Sequence, residues 1–256
     1  MSFPNFPGKY HGLSVMRPED TIAMRRRFGN FPKVDAPAGL ILCLKNDLPM
    51  QLRWKIPVQK IGKVMGDFYL VKSTRGRVGV LSNFGIGAPV VASLTEEMIA
   101  WGVRRLVILS WGGTLQTSLN TADIVLTDNA IRDEGVSQHY LPTEKFAYAN
   151  ESLNGKIKKY LPEGFVSGAT WTTDAPYRET REEIQQYQAE GVQVVEMEIA
   201  SLFAVAQVRG VEAAAMVVVA DKLANLEWEM PKDMKAINRS FEYTYRAAIM
   251  ALNEDA

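Results

Sequence analysis

Eight short apolar runs, at residues 39–44, 67–71, 78–82, 106–110, 123–127, 165–171, 192–195 and 214–220, restrict the architectures open to this chain. Several are continuous rather than alternating, among them Leu40-Ile41-Leu42-Cys43-Leu44 and Met216-Val217-Val218-Val219. An alternating strand buries one face, whereas a continuous one needs cover on both. Helical patterns at 92–101, 150–160, 179–189, 197–208 and 232–252 supply that cover. The interleaving predicts an α/β fold whose central sheet is largely parallel. Residues 1–37, irregular and rich in Pro and Gly around Arg25-Arg26-Arg27, read as an N-terminal arm of the kind that packs on a partner subunit. The whole of 1–256 reads as one domain.

Composition narrows the ligand. Lys and Arg total 29 against 29 for Asp and Glu, so no net field favours nucleic acid or an anionic membrane. A small molecule is the expected partner. The single cysteine, Cys43, lies within an apolar run and reads as a buried thiol, which excludes a disulfide framework and suggests a reducing compartment. Residues 1–12 lack the apolar core of a signal peptide, and no run approaches a membrane span, so a cytoplasmic location is expected.

Chemistry concentrates where strands end. In Val192-Gln193-Val194-Val195-Glu196-Met197-Glu198 two acids interrupt an apolar strand just before a helical pattern. Open α/β sheets hold ligands at such junctions, although acids in the first turn of a helix also complement its dipole. Leu81-Ser82-Asn83-Phe84-Gly85-Ile86-Gly87-Ala88-Pro89 joins a strand to a helix, and glycine there permits close backbone approach to a ligand. It lacks the third glycine and distal acid of a dinucleotide fingerprint. The run 106–110 leads into Trp111-Gly112-Gly113-Thr114, a second glycine-bearing strand end. Trp171 falls at the end of another strand, suited to stack on a planar base or to fill the core. The last run closes on Asp221, either a proton donor or the cap of the next turn.

In this order, Gly-Ile-Gly-Ala-Pro, Gly102-Val103-Arg104-Arg105 before a Gly-Gly strand end, Val195-Glu196-Met197-Glu198 and Val219-Ala220-Asp221 resemble the nucleoside phosphorylase superfamily of purine nucleoside and uridine phosphorylases. The resemblance spans roughly 38–253, and Ile131-Arg132-Asp133-Glu134-Gly135-Val136-Ser137-Gln138-His139-Tyr140-Leu141-Pro142 is similar to a loop of uridine phosphorylase-like members. It implies a three-layer αβα fold with a mixed, partly closed central sheet. It also implies homo-oligomers, dimers assembled into a hexamer, and no cofactor, with phosphate as co-substrate.

The resemblance further assigns roles. Glu198 would hold the ribose hydroxyls, with Met197 packed on the sugar, Glu196 beside it, and His11 of the arm reaching a neighbour's 5′-hydroxyl. Trp171 would face the base, and Asp221 would protonate a purine as it leaves, which points to the purine branch. His139 lies in a loop on the base side. Gly85, Gly87, Trp111 and Gly113 would line the anion region. That region departs from the family pattern: Lys45-Asn46-Asp47-Leu48-Pro49-Met50 stands for a Gly-Asp-Pro-x-Arg-like turn, Ile108 for an arginine and Trp111 for a hydroxyl residue. Phosphate needs guanidinium and amide donors, so Lys45, Arg53 or a neighbouring subunit would have to substitute. Beyond Asp221, Met234 stands where purine enzymes place an assisting arginine. Two function classes remain. One is an enzyme that breaks the N-glycosidic bond, by phosphorolysis or by hydrolysis with Glu196 or Glu97 activating water. The other is a nucleoside-binding or scaffold protein without turnover; within the enzyme class, a related reaction in a pocket remodelled by Trp111 is a further alternative.

Overall fold

The computed structural model describes residue 6 and residues 9–254, apart from the side chain of His11. The strands are β1 (Gly39–Cys43), β2 (Val58–Val64), β3 (Gly66–Val71), β4 (Val78–Ser82), β5 (Arg105–Thr114), β6 (Ile124–Asp133), β7 (Phe146–Tyr148), β8 (Val166–Thr173), β9 (Val194–Glu196) and β10 (Glu212–Lys222). The helices are α1 (Pro18–Arg27), α2 (Leu48–Gln51), α3 (Ala88–Trp101), α4 (Glu151–Lys158), α5 (Arg181–Ala189), α6 (Ile199–Arg209) and α7 (Met234–Asn253).

The strands form one sheet in the order β10-β6-β8-β9-β5-β1-β4-β3-β2, with β7 on β6. Because β10 also pairs with β5, the strands β5, β10, β6, β8 and β9 close into a ring from which β1, β4, β3 and β2 extend. Parallel pairs join β1 to β4 and β5, β5 to β10, β6 to β8, and β8 to β9. Antiparallel pairs join β10 to β6, β5 to β9, β6 to β7, β2 to β3, and β3 to β4. The sheet is therefore mixed and partly closed, as the family resemblance implies, rather than the largely parallel sheet that periodicity alone predicts. Apolar runs report burial of faces, not strand direction.

Continuous runs do have two covered faces. From β1, Leu40, Leu42 and Leu44 pack on one side with residues of α3 and α6, while Ile41 and Cys43 pack on the other with residues of α4 and α7. In β5, Leu106 and Ile108 are divided from Val107 and Leu109 in the same way, and in β10 Val217 and Val219 from Met216 and Val218.

Three departures from the sequence reading have physical causes. The arm is not irregular throughout, since α1 begins at Pro18, with Asp20 accepting from the Arg17 amide, and rests on α3 through an ion pair of Arg25 with Glu97. Only Ile22 of α1 is buried, so no apolar stripe betrays the helix. Strands β5 and β6 run to Thr114 and Asp133, past their apolar halves, because neighbours on both edges pair their polar ends. The polar β2 escapes detection because it is an edge strand bonded to β3 alone.

Candidate active site

Gly113 organises the region. In β5 it pairs with Val195 of β9 on one side and with Asp221 of β10 on the other. The Glu-Met-Glu junction and the strand-terminal Asp therefore flank one residue, about two strand spacings or ~10 Å apart. Side chains would not fit between them. A Cβ at Gly112 would lie 2.2 Å from the Val195 carbonyl oxygen, and one at Gly113 would lie 2.1 Å from Leu223 Cδ1 and 3.1 Å from Asp221 Oδ1. Gly112 is thus required where β5 passes the Val195 carbonyl, and Gly113, read from the sequence as part of the anion region, lies against Leu223 and Asp221.

Both acids of the junction are buried and bonded to helix N-termini. Glu196 Oε2 accepts the amides of Glu198 (2.7 Å) and Ile199 (2.8 Å) at the start of α6. Its Oε1 accepts the hydroxyls of Thr172 (2.5 Å) and Thr170 (3.3 Å) from β8. With four donors around it, Glu196 is a helix-capping and sheet-tying group, not a free base for water. Glu198 reaches to a different helix: Oε1 accepts the Gly87 amide at 2.7 Å, at the N-terminus of α3, and Oε2 the Met197 amide at 3.3 Å. Two or more lone pairs stay open on its carboxylate. Burial raises both acids above the ordinary carboxylate range, and the charge of Glu198 raises Glu196 further. Met197, half-buried, lies between them.

At the other end, β10 bulges between Val219 and Asp221, an irregularity that re-aims the side chain that follows it. Burial raises the Asp221 carboxyl, while the indole N–H of Trp228, which donates to Oδ2, opposes that rise. Glu179, at the entry to α5, is pushed up to about 7, first by burial and then by the charges of Asp221 and Glu183. Neither Trp228 nor Glu179 stands out in the sequence: Trp228 lies outside every periodic run, and Glu179 is one of several acids in the helical pattern 179–189. The solvated aromatic Tyr177 precedes Glu179 by two positions.

The anion region is more occupied than its glycines suggest. The Gly87 amide already serves Glu198. Gly85 is exposed with φ 99°, a conformation suited to glycine. Lys45, buried just after β1, pairs with Asp47 at 2.7 Å, and the Arg53 guanidinium lies over the Trp54 ring. Ile108 is wholly in the core, and Met50 is partly exposed on α2. Trp111, 40% exposed, meets Phe241 of α7 edge-on at 6.0 Å between centroids. Glu97 is bound by Arg25, on the ninth residue beyond Ala88 and so ~13 Å along α3. It is not placed to activate water at Glu198.

Trp171 has no open face for a base. It is 1% exposed, its Nε1 donates to Asp133 Oδ2 at 2.9 Å, and its ring packs at 4.9 Å from Tyr187 among Leu115, Ile131, Ile184, Val192 and Val195. Alternation along β8 explains the placement, since Thr170 and Thr172 point to Glu196 and Trp171 to the opposite side. His11 ends a short turn, Lys9–His11, but its side chain lies outside the described residues. The neighbouring Tyr10 hydroxyl donates to the Gln138 carbonyl at 3.1 Å, so this part of the arm meets its own chain's 137–139 turn, on which His139 is exposed. The loop itself is tied internally: Arg132 donates to the carbonyls of Ser137, Leu141, Pro142 and Glu144. Among the described residues no group of three His, Cys, Asp or Glu could hold a metal ion, and no helix is long and apolar enough to cross a membrane.

Known proteins share this framework. A uridine phosphorylase from Vibrio fischeri ES114 superposes with a TM-score of 0.71 at 21% identity, covering 86% of this chain and 93% of that one. A DeoD-type purine nucleoside phosphorylase of Caldanaerobacter subterraneus subsp. tengcongensis is 26% identical over 172 residues, 64% of this chain and 73% of the relative. A guanosine phosphorylase of Halorubrum lacusprofundi is 29% identical over 64% of this chain and 72% of the relative. A uridine phosphorylase of Haemophilus influenzae is 29% identical over 54% and 62% respectively. Residues 37–249 match the family model of the phosphorylase superfamily, and to that superfamily the chain belongs.

Proposed function

We propose that this protein cleaves the N-glycosidic bond of a nucleoside with a purine-type base, with Glu198 gripping the sugar and Asp221 serving the base. The observation that supports the reading is the pairing of Gly113 with Val195 on one side and Asp221 on the other, which brings the strand leading into Glu198 and the strand bearing Asp221 to either side of one residue. Glu198 would accept hydrogen bonds from the 2′- and 3′-hydroxyls, and its negative charge would favour the developing oxocarbenium ion. Asp221, raised by burial, would give its proton to N7. The C1′–N9 bond then breaks with its electron pair passing to the base. A phosphate oxygen bonds to C1′, and the proton that phosphate releases restores Asp221. The names of the purine nucleoside, uridine and guanosine phosphorylases among its relatives support phosphate as the acceptor.

A second reading, hydrolysis, has one specific support: Lys45 is neutralised by Asp47, and Gly87 is bonded to Glu198, so the phosphate grip of this chain is weak. Water would then supply the oxygen to C1′ and the proton to the base. Incubation of the protein with inosine, adenosine, guanosine, uridine and methylthioadenosine, with and without phosphate, separates these outcomes. Base release from a purine nucleoside that requires phosphate is expected. Release without phosphate selects hydrolysis, and binding without release from any of the five overturns catalysis in favour of a nucleoside-binding protein.

A further inference from the structure

Trp228 stands in a loop that is built rather than loose. Lys222 and Glu229 exchange backbone hydrogen bonds of 3.0 and 2.9 Å, which closes the segment like a hairpin. Inside it, the Leu226 amide turns back to the Leu223 carbonyl at 2.8 Å, and Leu226 takes a left-handed φ of 61°. Leu223 and Leu226 pack on the Trp171 cluster, and Gln188 of α5 donates to the Ala224 carbonyl at 2.8 Å. These ties hold the indole where its N–H donates to Asp221 Oδ2, although the ring is 67% exposed. An exposed indole fixed over a half-buried acid has apolar area to offer a ligand and a donor to orient the acid.

We propose that Trp228 is the positioning residue of Asp221 and the aromatic wall of the base subsite, the two tasks that Met234 and the buried Trp171 do not perform. This rests on the reading of Asp221 as the proton donor to the base. With Oδ2 held by the indole, Oδ1, the oxygen nearest Gly113, is the one left to carry the proton. The indole N–H stabilises the ionised carboxylate, so it also sets the pH at which the acid loses its proton. The other charged groups around Asp221 are Glu179 at the α5 entry with Glu183 behind it, and on its own strand and loop Lys222 and Glu229; the Lys222 ammonium is engaged by Asn120 at 3.5 Å.

Trp228→Phe keeps the ring and removes the donor, whereas Trp228→Ala removes both. With the donor gone the Asp221 carboxyl rises, and the descending limb of the pH–rate profile should move to higher pH in Trp228→Phe. Its kcat should fall about tenfold, the worth of one hydrogen bond, with KM changed less than about twofold. Trp228→Ala should add a rise in KM of about tenfold from lost stacking. In the free protein, the indole ¹⁵N–¹H resonance assigned through Trp228→Phe should titrate with one midpoint, and that titration should vanish in Asp221→Asn. A resonance that stays constant with pH, or titrates equally in Asp221→Asn, overturns the proposal, as does an unmoved pH profile in Trp228→Phe. If no nucleoside is cleaved by any form, the free-protein titration still decides the Trp228–Asp221 linkage, so the two failures are distinguishable.

Discussion

The two carboxylate centres of this molecule are built on opposite plans. At the proposed sugar end Glu196 and Glu198 are buried and receive backbone amides of α6 and α3 together with two threonine hydroxyls. At the proposed base end Asp221 and Glu179 are half-buried, and the side-chain hydrogen bond to Asp221 comes from an exposed residue. Backbone donors are fixed by the helices that carry them, so the first centre is rigid at the moment of reaction and belongs equally to the fold. The second can gain and lose a proton without disturbing a helix. Stability and chemistry should therefore separate between the ends, and substitutions can test the separation.

The largest expected effect is on rate. Asp221→Asn should lower purine nucleoside cleavage by roughly 10²–10⁴-fold, the usual worth of a positioned general acid. Its melting temperature should stay within about 2 °C of the parent, since the amide still accepts from Trp228. A comparable fall in stability with unchanged rate would mean that Asp221 is only a turn cap. Glu198→Gln should cost about 10²–10³-fold in kcat, because the amide keeps an acceptor for Gly87 and loses the charge that faces the oxocarbenium ion.

The third prediction crosses from rate to stability. Glu196→Ala strands two amides and the Thr172 hydroxyl in a buried junction, while Thr170 keeps the Val194 carbonyl, and should destabilise the protein by roughly 3 kcal/mol. Thermal unfolding should register a fall of about 6–12 °C. pH sharpens the same point. The Glu196 carboxyl is raised from its ordinary 4.5, so the folded chain holds a proton that the unfolded chain releases. That contribution is complete below about pH 4.5 and is lost as pH rises toward the folded value. Melting temperature should decline above pH 5, and more steeply in the parent than in Glu196→Gln. Parallel slopes would place the titrating group elsewhere.

The contrast between the ends also decides what the sequence makes legible. Glu196, Glu198 and Asp221 are conspicuous because an acid inside an apolar run has few structural excuses, and the family resemblance supplied their order. Trp228 is not, because its contact with Asp221 depends on loop closure between Lys222 and Glu229, which no local pattern encodes. Trp171 illustrates a different limit. The alternation Thr170-Trp171-Thr172 separates the ring from the hydroxyls, but only the packing of α5 reveals that the Trp171 side is core. Partial closure of the sheet is legible only through resemblance, since Gly112-Gly113 reads as a strand end with exposed amides until Val195 and Asp221 are brought against it.

The smallest predicted effect concerns the region that belongs to neither end. Lys45 is buried at the end of β1, and its partner Asp47 is more than half exposed, so the pair is partly screened and weak in net terms. Asp47 also accepts from Gln51, and Asn46 accepts the Asn83 amide at 3.0 Å, so the turn keeps its shape when one charge is removed. Asp47→Asn should therefore free the ammonium without moving it. Under phosphorolysis the KM for phosphate should fall about threefold, equivalent to the ~0.6 kcal/mol of a screened charge, with the KM for nucleoside unchanged. Under hydrolysis the variant should be kinetically silent. A rise in the phosphate KM would mean that Asp47 itself holds Lys45 toward the anion, and that the pair grips phosphate rather than neutralising itself.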